Sequence, residues 1–229
     1  VLGDKVKEEE IVEGMQAEEE DEHHHDEDED DDHHAHEAEG HHHHSSDEDE
    51  LEYDEHVWLS VRNAKILCGE ICNALCEVDP SNAASYKENF KAYSGKLDKL
   101  DSDFEAAVKN GNKKTLLFGD RFPFRYFVDD YGLKYYAAFV GCSAETEASF
   151  ETIIFLAKKV DELGLNAVCQ IESGNGKIAQ TIIKSSKKKN AKIITFDSLQ
   201  STTTNDVKKG TTYLSLMQKN LEVLKEALK

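Results

Sequence analysis

Residues 115–140 read TLLFGDRFPFRYFVDDYGLKYYAAFV. Thr115 to Phe118 is a short apolar run stopped by Gly119 and reads as a buried strand. Phe122 to Tyr131 reads as a short helix ending at Gly132, and Leu133 to Val140 as the next strand. The alternation continues downstream. Ser149 to Leu163 reads as a helix, Ala167 to Ile171 as a strand, Lys177 to Ser186 as a helix and Lys192 to Phe196 as a strand. Tyr213 to Leu228 closes the chain as an amphipathic helix. Strands separated by helices predict an α/β lobe whose mainly parallel sheet is covered on both faces. Ligands of such sheets bind outside the carboxyl ends of the strands. Asp120, Glu172 and Asp197 fall there, after the first, third and fourth strands.

Upstream the pattern is helical. Ile66, Leu67, Ile71, Ala74 and Leu75 recur at spacings of three and four, so one helix runs from about Val57 to Val78 and stops at Asp79-Pro80. A second helix runs from Asn82 to about Lys109, capped by Ser81 and ended by Asn110-Gly111-Asn112. Its apolar stripe is Tyr86, Phe90, Tyr93, Leu97, Leu100, Phe104 and Val108. At 1.5 Å per residue it is about 42 Å long, a strut rather than an ordinary packing helix.

The chain has 229 residues and a net charge of −20, but the acidity belongs to one segment. Residues 1–55 hold 26 of the 47 Asp and Glu with two Lys, which leaves 21 acids against 25 bases in residues 56–229. Those bases are interleaved with acids, so no nucleic-acid footprint stands out. No apolar run approaches the roughly 20 residues that span a bilayer. HExxH, nucleophile-elbow and phosphate-loop patterns are absent, and Gly174-Asn175-Gly176 is a turn without a third glycine; these features argue against an enzyme.

Ten of the eleven histidines lie in one acidic stretch: His23, His24, His25, His33, His34, His36, His41, His42, His43 and His44. Such a segment buries no apolar surface, so its composition predicts disorder without metal. Its imidazole density predicts a metal-collecting loop, because imidazole is the commonest transition-metal ligand. The eleventh, His56, stands where hydrophobic residues return, and reads as one ligand of a fixed site. Of the five cysteines, Cys68, Cys72 and Cys76 are spaced by four on one helical face and read as small buried side chains. Cys142 and Cys169 lie near strand ends, where a bridge is one reading; the odd total argues against a complete disulfide framework.

Asp54-Glu55-His56-Val57-Trp58-Leu59-Ser60 is similar to the D-P-H-x-W-x-S/D motif of the substrate-binding proteins of zinc and manganese ABC transporters. In that family two α/β lobes are joined by one rigid long helix. Phe124, Tyr126 and Tyr131-Gly132-Leu133 resemble its H-x-A-F-x-Y…Y-G-L segment, and Glu147-Ala148-Ser149 its E-P-S. Phe196-Asp197-Ser198-Leu199 resembles its late aspartate motif. The resemblance implies that His56 and Asp197 bind metal. It also implies a division into a remnant of an N-terminal lobe (1–21), the acidic His-rich loop (22–55), an N-lobe helix (56–80), the linking helix (81–111) and a C-terminal α/β lobe (112–229). The family's first His would precede Val1. Its third ligand falls on Arg121, a permanent cation that cannot ligate a metal; Asp120 takes that role if the loop shifts by one residue. Glu172 is a further acid at the same end of the sheet.

The function implied is a solute-binding component of a divalent-metal importer. Its cargo would be Zn²⁺, with Mn²⁺ and Fe²⁺ as alternatives, and its partner an ABC permease. The resemblance further implies a monomer outside the cytoplasm, periplasmic or lipid-anchored at the cell surface. The rival from another class is an extracellular zinc buffer or cell-adhesion protein in which the loop is the functional part.

Overall fold

The computed structural model describes residues 1–16, 53–141, 143 and 147–229. The His-rich stretch and Cys142 lie outside the described residues. Four parallel strands form the sheet: β1 (Thr115–Phe122), β2 (Lys134–Val140), β3 (Ala167–Ile171) and β4 (Lys192–Phe196), in the order β2-β1-β3-β4. The chain steps from β1 to β2 on one side and then returns to place β3 on the other. The carboxyl ends of β1 and β3 therefore flank the point where the winding reverses, the place where open α/β sheets receive ligands.

Side chains of the strands alternate between two cores. Leu116, Phe118, Cys169, Ile171 and Phe196 face one, together with Leu97, Phe104, Phe127, Met217 and Leu224. These last five come from α2 (Ala83–Asn110), α3 (Arg125–Tyr131) and α7 (Tyr213–Ala227). Leu117, Ala138 and Val168 face the other, against Ile153, Leu156 and Val160 of α4 (Phe150–Leu163) and Ala179 and Ile182 of α5 (Lys177–Ser185). Coverage of both faces is the layering that the strand–helix alternation predicts.

α1 (Val61–Val78) starts where Ser60 Oγ accepts the N–H of Asn63 at 2.9 Å. The 28-residue α2 buries Leu97, Leu100, Phe104, Ala107 and Val108, all in its C-terminal half, and packs against α1 along its length. Arg62 ties α1 to α2 and α3 by donating to Asp101, Glu105 and the carbonyl of Asp130. The exposed end of α1 differs from the sequence expectation. Ile71 is 59% and Leu75 40% exposed, so part of the expected apolar stripe faces outward among the described residues.

Two boundaries also differ. β1 runs on to Phe122 because its pairing with β2 slips between Phe118 and Arg121 and then resumes with Arg121 opposite Phe139. The strand thus continues past Gly119, and α3 begins only at Arg125, after Pro123. The short helix α6 (Thr204–Lys208) had no apolar period to announce it; Thr203 and Asp206 close it with a reciprocal capping box. Cys169 is a buried free thiol, and Cys142, its partner in the bridge reading, lies outside the described residues. The Cys169 side chain is committed to the core, and burial pushes its pKa up to about 12.

Candidate metal centre

His56 is 3% exposed and Asp54 4%. One oxygen of Asp54, Oδ1, accepts both the backbone N–H of His56 at 2.8 Å and its Nδ1 at 2.9 Å. A carboxylate only accepts, so the ring proton resides on Nδ1 and the lone pair on Nε2. This carboxylate–histidine pair is the arrangement that orients a metal-binding imidazole and raises its basicity. Asp54 is itself fixed: its carbonyl accepts the Tyr126 hydroxyl at 2.7 Å and its N–H donates to the Lys7 carbonyl at 2.9 Å. A Cβ on Gly141 would lie 2.9 Å from His56 Cε1, so the end of β2 is closed against the imidazole in a way only glycine permits.

The next residues couple His56 to the carboxyl end of β4. Trp58, whose ring lies 5.4 Å from that of His56, donates its indole N–H to the Ser198 carbonyl at 3.1 Å. The Trp58 carbonyl accepts the Tyr213 hydroxyl at 2.9 Å. The loop after β4 is held from a third side by Asn220, buried in α7, which accepts the N–H of Asp197 and donates to its carbonyl, each at 2.8 Å. Asp197 Oδ1 accepts the N–H of Leu199, whose φ of 65° is a conformation that non-glycine residues rarely adopt. Burial pushes the Asp197 carboxyl above its usual range; the Leu199 N–H opposes this and the nearby Glu172 charge adds to it.

Glu172 reaches the same loop but spends both oxygens on it. Oε2 accepts the Ser198 N–H at 2.7 Å, and Oε1 accepts the Ser198 hydroxyl at 2.8 Å and the Ser201 N–H at 3.3 Å. Burial works against its charge, yet these hydrogen bonds hold its pKa below the usual carboxylate range. Asp120 faces β3 instead. Its Oδ2 accepts the Ile171 N–H at 3.2 Å and its Oδ1 the Arg121 N–H at 2.8 Å. A Cβ on Gly174 would lie 2.1 Å from Oδ2. Arg121 turns toward the segment after β2 and donates to the Ser143 carbonyl at 3.2 Å.

The structure thus links His56, Asp197 and Glu172 through one hydrogen-bonded loop and sets Asp120 on a neighbouring one. Among the described residues, no group of three or more His, Cys, Asp and Glu is placed to hold a metal ion. Asp54 and Asn220 carry roles that the sequence reading did not assign. The signal for Asn220 was a polar residue inside the apolar stripe Leu216, Met217, Leu221 and Leu224. Among the described residues no helix is long and apolar enough to cross a membrane.

This architecture is shared with solved structures of other proteins. A zinc-bound variant of AdcAII from Streptococcus pneumoniae superposes with a TM-score of 0.64 at 28% identity, over 81% of this chain and 64% of that one. The laminin-binding adhesin of Streptococcus agalactiae gives 0.66 at 28% identity, over 78% and 64%. In sequence, the zinc-binding protein AdcA of Streptococcus pyogenes serotype M6 is 31% identical over 173 residues, 76% of this chain and 33% of the relative. The match thus spans about a third of that curated relative's length. Residues 2–227 match the family described as the periplasmic zinc-uptake complex component A, ZnuA. The chain belongs to this family of zinc-uptake solute-binding proteins.

Proposed function

We propose that the chain captures Zn²⁺ as the cargo of an ABC importer and presents it to a membrane permease outside the cytoplasm. The observation that carries this reading is the buried Asp54–His56 pair, tethered through Trp58 and Ser198 to the Asp197 loop. His56 Nε2 would supply a neutral nitrogen and Asp197 an anionic oxygen. Both donor types suit Zn²⁺, and neither makes the thiolate cage that would retain the ion against release. Zn²⁺ usually takes four ligands, so these two leave room for donors from elsewhere. Glu172 and Asp120 serve first as the acids that hold the two loops. Direct ligation by either, or Mn²⁺ or Fe²⁺ as cargo, is a separate outcome of the same titrations. The division into N-lobe remnant, loop, linking helix and C-terminal lobe belongs to this proposal, as does a loop that collects zinc through its ten histidines.

The test is zinc calorimetry on the chain with and without residues 22–50. A site that survives loop deletion and is lost on His56→Ala and on Asp197→Ala is the expected result. Zinc binding that vanishes entirely with the loop overturns the carrier reading. It favours the second one, a surface buffer or adhesin, for which the likeness to a laminin-binding adhesin is the supporting observation.

A further inference from the structure

α7 buries Leu216, Met217, Leu221, Leu224 and Ala227, and among them one amide, Asn220, at 1% exposure. A buried amide is costly unless its hydrogen bonds are made. Asn220 makes two with a single residue: Oδ1 accepts the Asp197 N–H and Nδ2 donates to the Asp197 carbonyl, each at 2.8 Å. β4 is an edge strand, and Asp197 follows its last residue, Phe196. Asn220 therefore takes the place of a neighbouring strand there and clamps both polar groups of the Asp197 backbone. Asp197 Oδ1 already accepts the Leu199 N–H at 2.8 Å, so the clamped backbone also sets the direction of the carboxylate.

Tyr213 precedes Asn220 by seven residues, two turns up the same face of the helix and about 10 Å along its axis. Its hydroxyl donates to the carbonyl of Trp58, two residues after His56, at 2.9 Å. The start of α7 is fixed in turn by the reciprocal capping of Thr212 and Ser215. One helix thus grips the chain on both sides of the candidate centre. Given the reading of His56 and Asp197 as zinc ligands, on which this rests, we propose that Tyr213 and Asn220 are positioning residues and that α7 acts as a ruler. It sets the separation of His56 and Asp197 for an incoming Zn²⁺. Asn220 acts through the Asp197 backbone and Tyr213 through Trp58. A preset separation spares the binding step the cost of ordering two loops. Loss of the clamp therefore lowers affinity without removing a donor atom.

The experiment is a Zn²⁺ titration of the full chain in a zinc-buffering chelator. It is read by the fluorescence of Trp58, the single tryptophan, whose ring lies 5.4 Å from that of His56. Asn220→Leu is expected to raise the half-saturating free zinc roughly 10–100-fold, the range for partners that orient a metal ligand. Tyr213→Phe, which removes one hydroxyl and keeps the test open should Asn220→Leu fail to fold, is expected to raise it less. Leu224→Ala opens a cavity in the same helix and should lower the melting temperature while half-saturation stays at the wild-type value. Wild-type half-saturation in Tyr213→Phe or in a folded Asn220→Leu, or an equal shift in Leu224→Ala, would overturn the ruler. His56→Ala and Asp197→Ala are titrated alongside. No change in either overturns the ligand reading and the ruler with it, whereas loss in these two and not in the α7 variants overturns the ruler alone.

Discussion

Replacing Asp54 separates geometry from charge at the candidate metal centre. In Asp54→Ala, two His56 donors lose their common acceptor, the backbone N–H at 2.8 Å and Nδ1 at 2.9 Å. Both lie in a setting where His56 is 3% exposed, so water cannot replace the oxygen without opening the site. Each buried unsatisfied group costs about 1–3 kcal/mol, and relief of the Asp54 desolvation offsets part of the sum. A net loss of about 2–4 kcal/mol is expected. For a chain of this size that lowers the melting temperature by roughly 4–16 °C. Asp54→Asn keeps a carbonyl oxygen at the same place and should retain most of the stability. It removes the charge that makes the imidazole a better donor, so its zinc affinity should fall roughly 10–100-fold, the usual effect of removing an outer partner of a metal-binding histidine. Thermal unfolding gives the first number. Competition with a chromophoric zinc chelator, on the chain lacking residues 22–50, gives the second. Equal zinc affinity in wild type, Asn and Ala variants would refute the role of His56. An Asn variant as unstable as the Ala variant would refute the argument that the acceptor, rather than the charge, holds the fold here.

Gly141→Ala places a methyl group 2.9 Å from His56 Cε1 and should weaken zinc binding by displacing the ring, with an intact far-ultraviolet circular dichroism spectrum. Glu172 has a folded pKa below its ordinary 4.5, so its contribution to stability is present above about pH 4.5 and is lost as the pH falls through the folded value. Glu172→Gln should therefore flatten the acid limb of a urea-denaturation series, and an unchanged limb would assign the acid sensitivity elsewhere. Asp197 has the opposite sign: its folded pKa is raised by burial, so its charge opposes folding at neutral pH. Asp197→Asn should raise the melting temperature of the metal-free chain while lowering zinc affinity, and a fall in both would show that the carboxylate serves structure first.

The lobe was legible because its elements obey local rules that tertiary packing did not overturn. Ala167–Ile171 and Lys192–Phe196 were read to the residue, since each is a short apolar run flanked by a loop and a helix start. The long helix was legible from its period and from the asparagine–glycine stop at Asn110-Gly111. The end of β1 was not. Gly119, Asp120 and Pro123 all carry turn character in sequence, and what keeps the strand going is pairing of Arg121 and Phe122 with β2, a contact no local signal encodes. The same holds for α1. Its apolar residues are periodic whether or not something covers them, and the outward exposure of Ile71 and Leu75 depends on neighbours that periodicity does not report.

The candidate site shows the same division between motif and tertiary partner. His56 and Asp197 stand out as candidates because each sits in a short stretch that resembles a family motif. The oxygen that fixes His56 lies only two residues away, in Asp54. Position at a strand's carboxyl end located Glu172 and Asp120 but could not say where their oxygens point. Glu172 gives them to Ser198 and Ser201, 26 and 29 residues away in sequence, and Asp120 gives one to Ile171, 51 residues away. Arg121 completes the case. Its charge alone predicts that it turns away from a divalent ion and pairs with an acid such as Asp129 or Glu172. It does turn, toward the Ser143 carbonyl, because Asp129 is engaged by Arg125 and Lys7 and Glu172 by the β4 loop. Asp120 can approach a metal only by giving up the Ile171 N–H, and that exchange would loosen the end of β3. In the proposed reading His56 and Asp197 are therefore the first ligands to test, and Asp120 joins them only at the cost of that hydrogen bond.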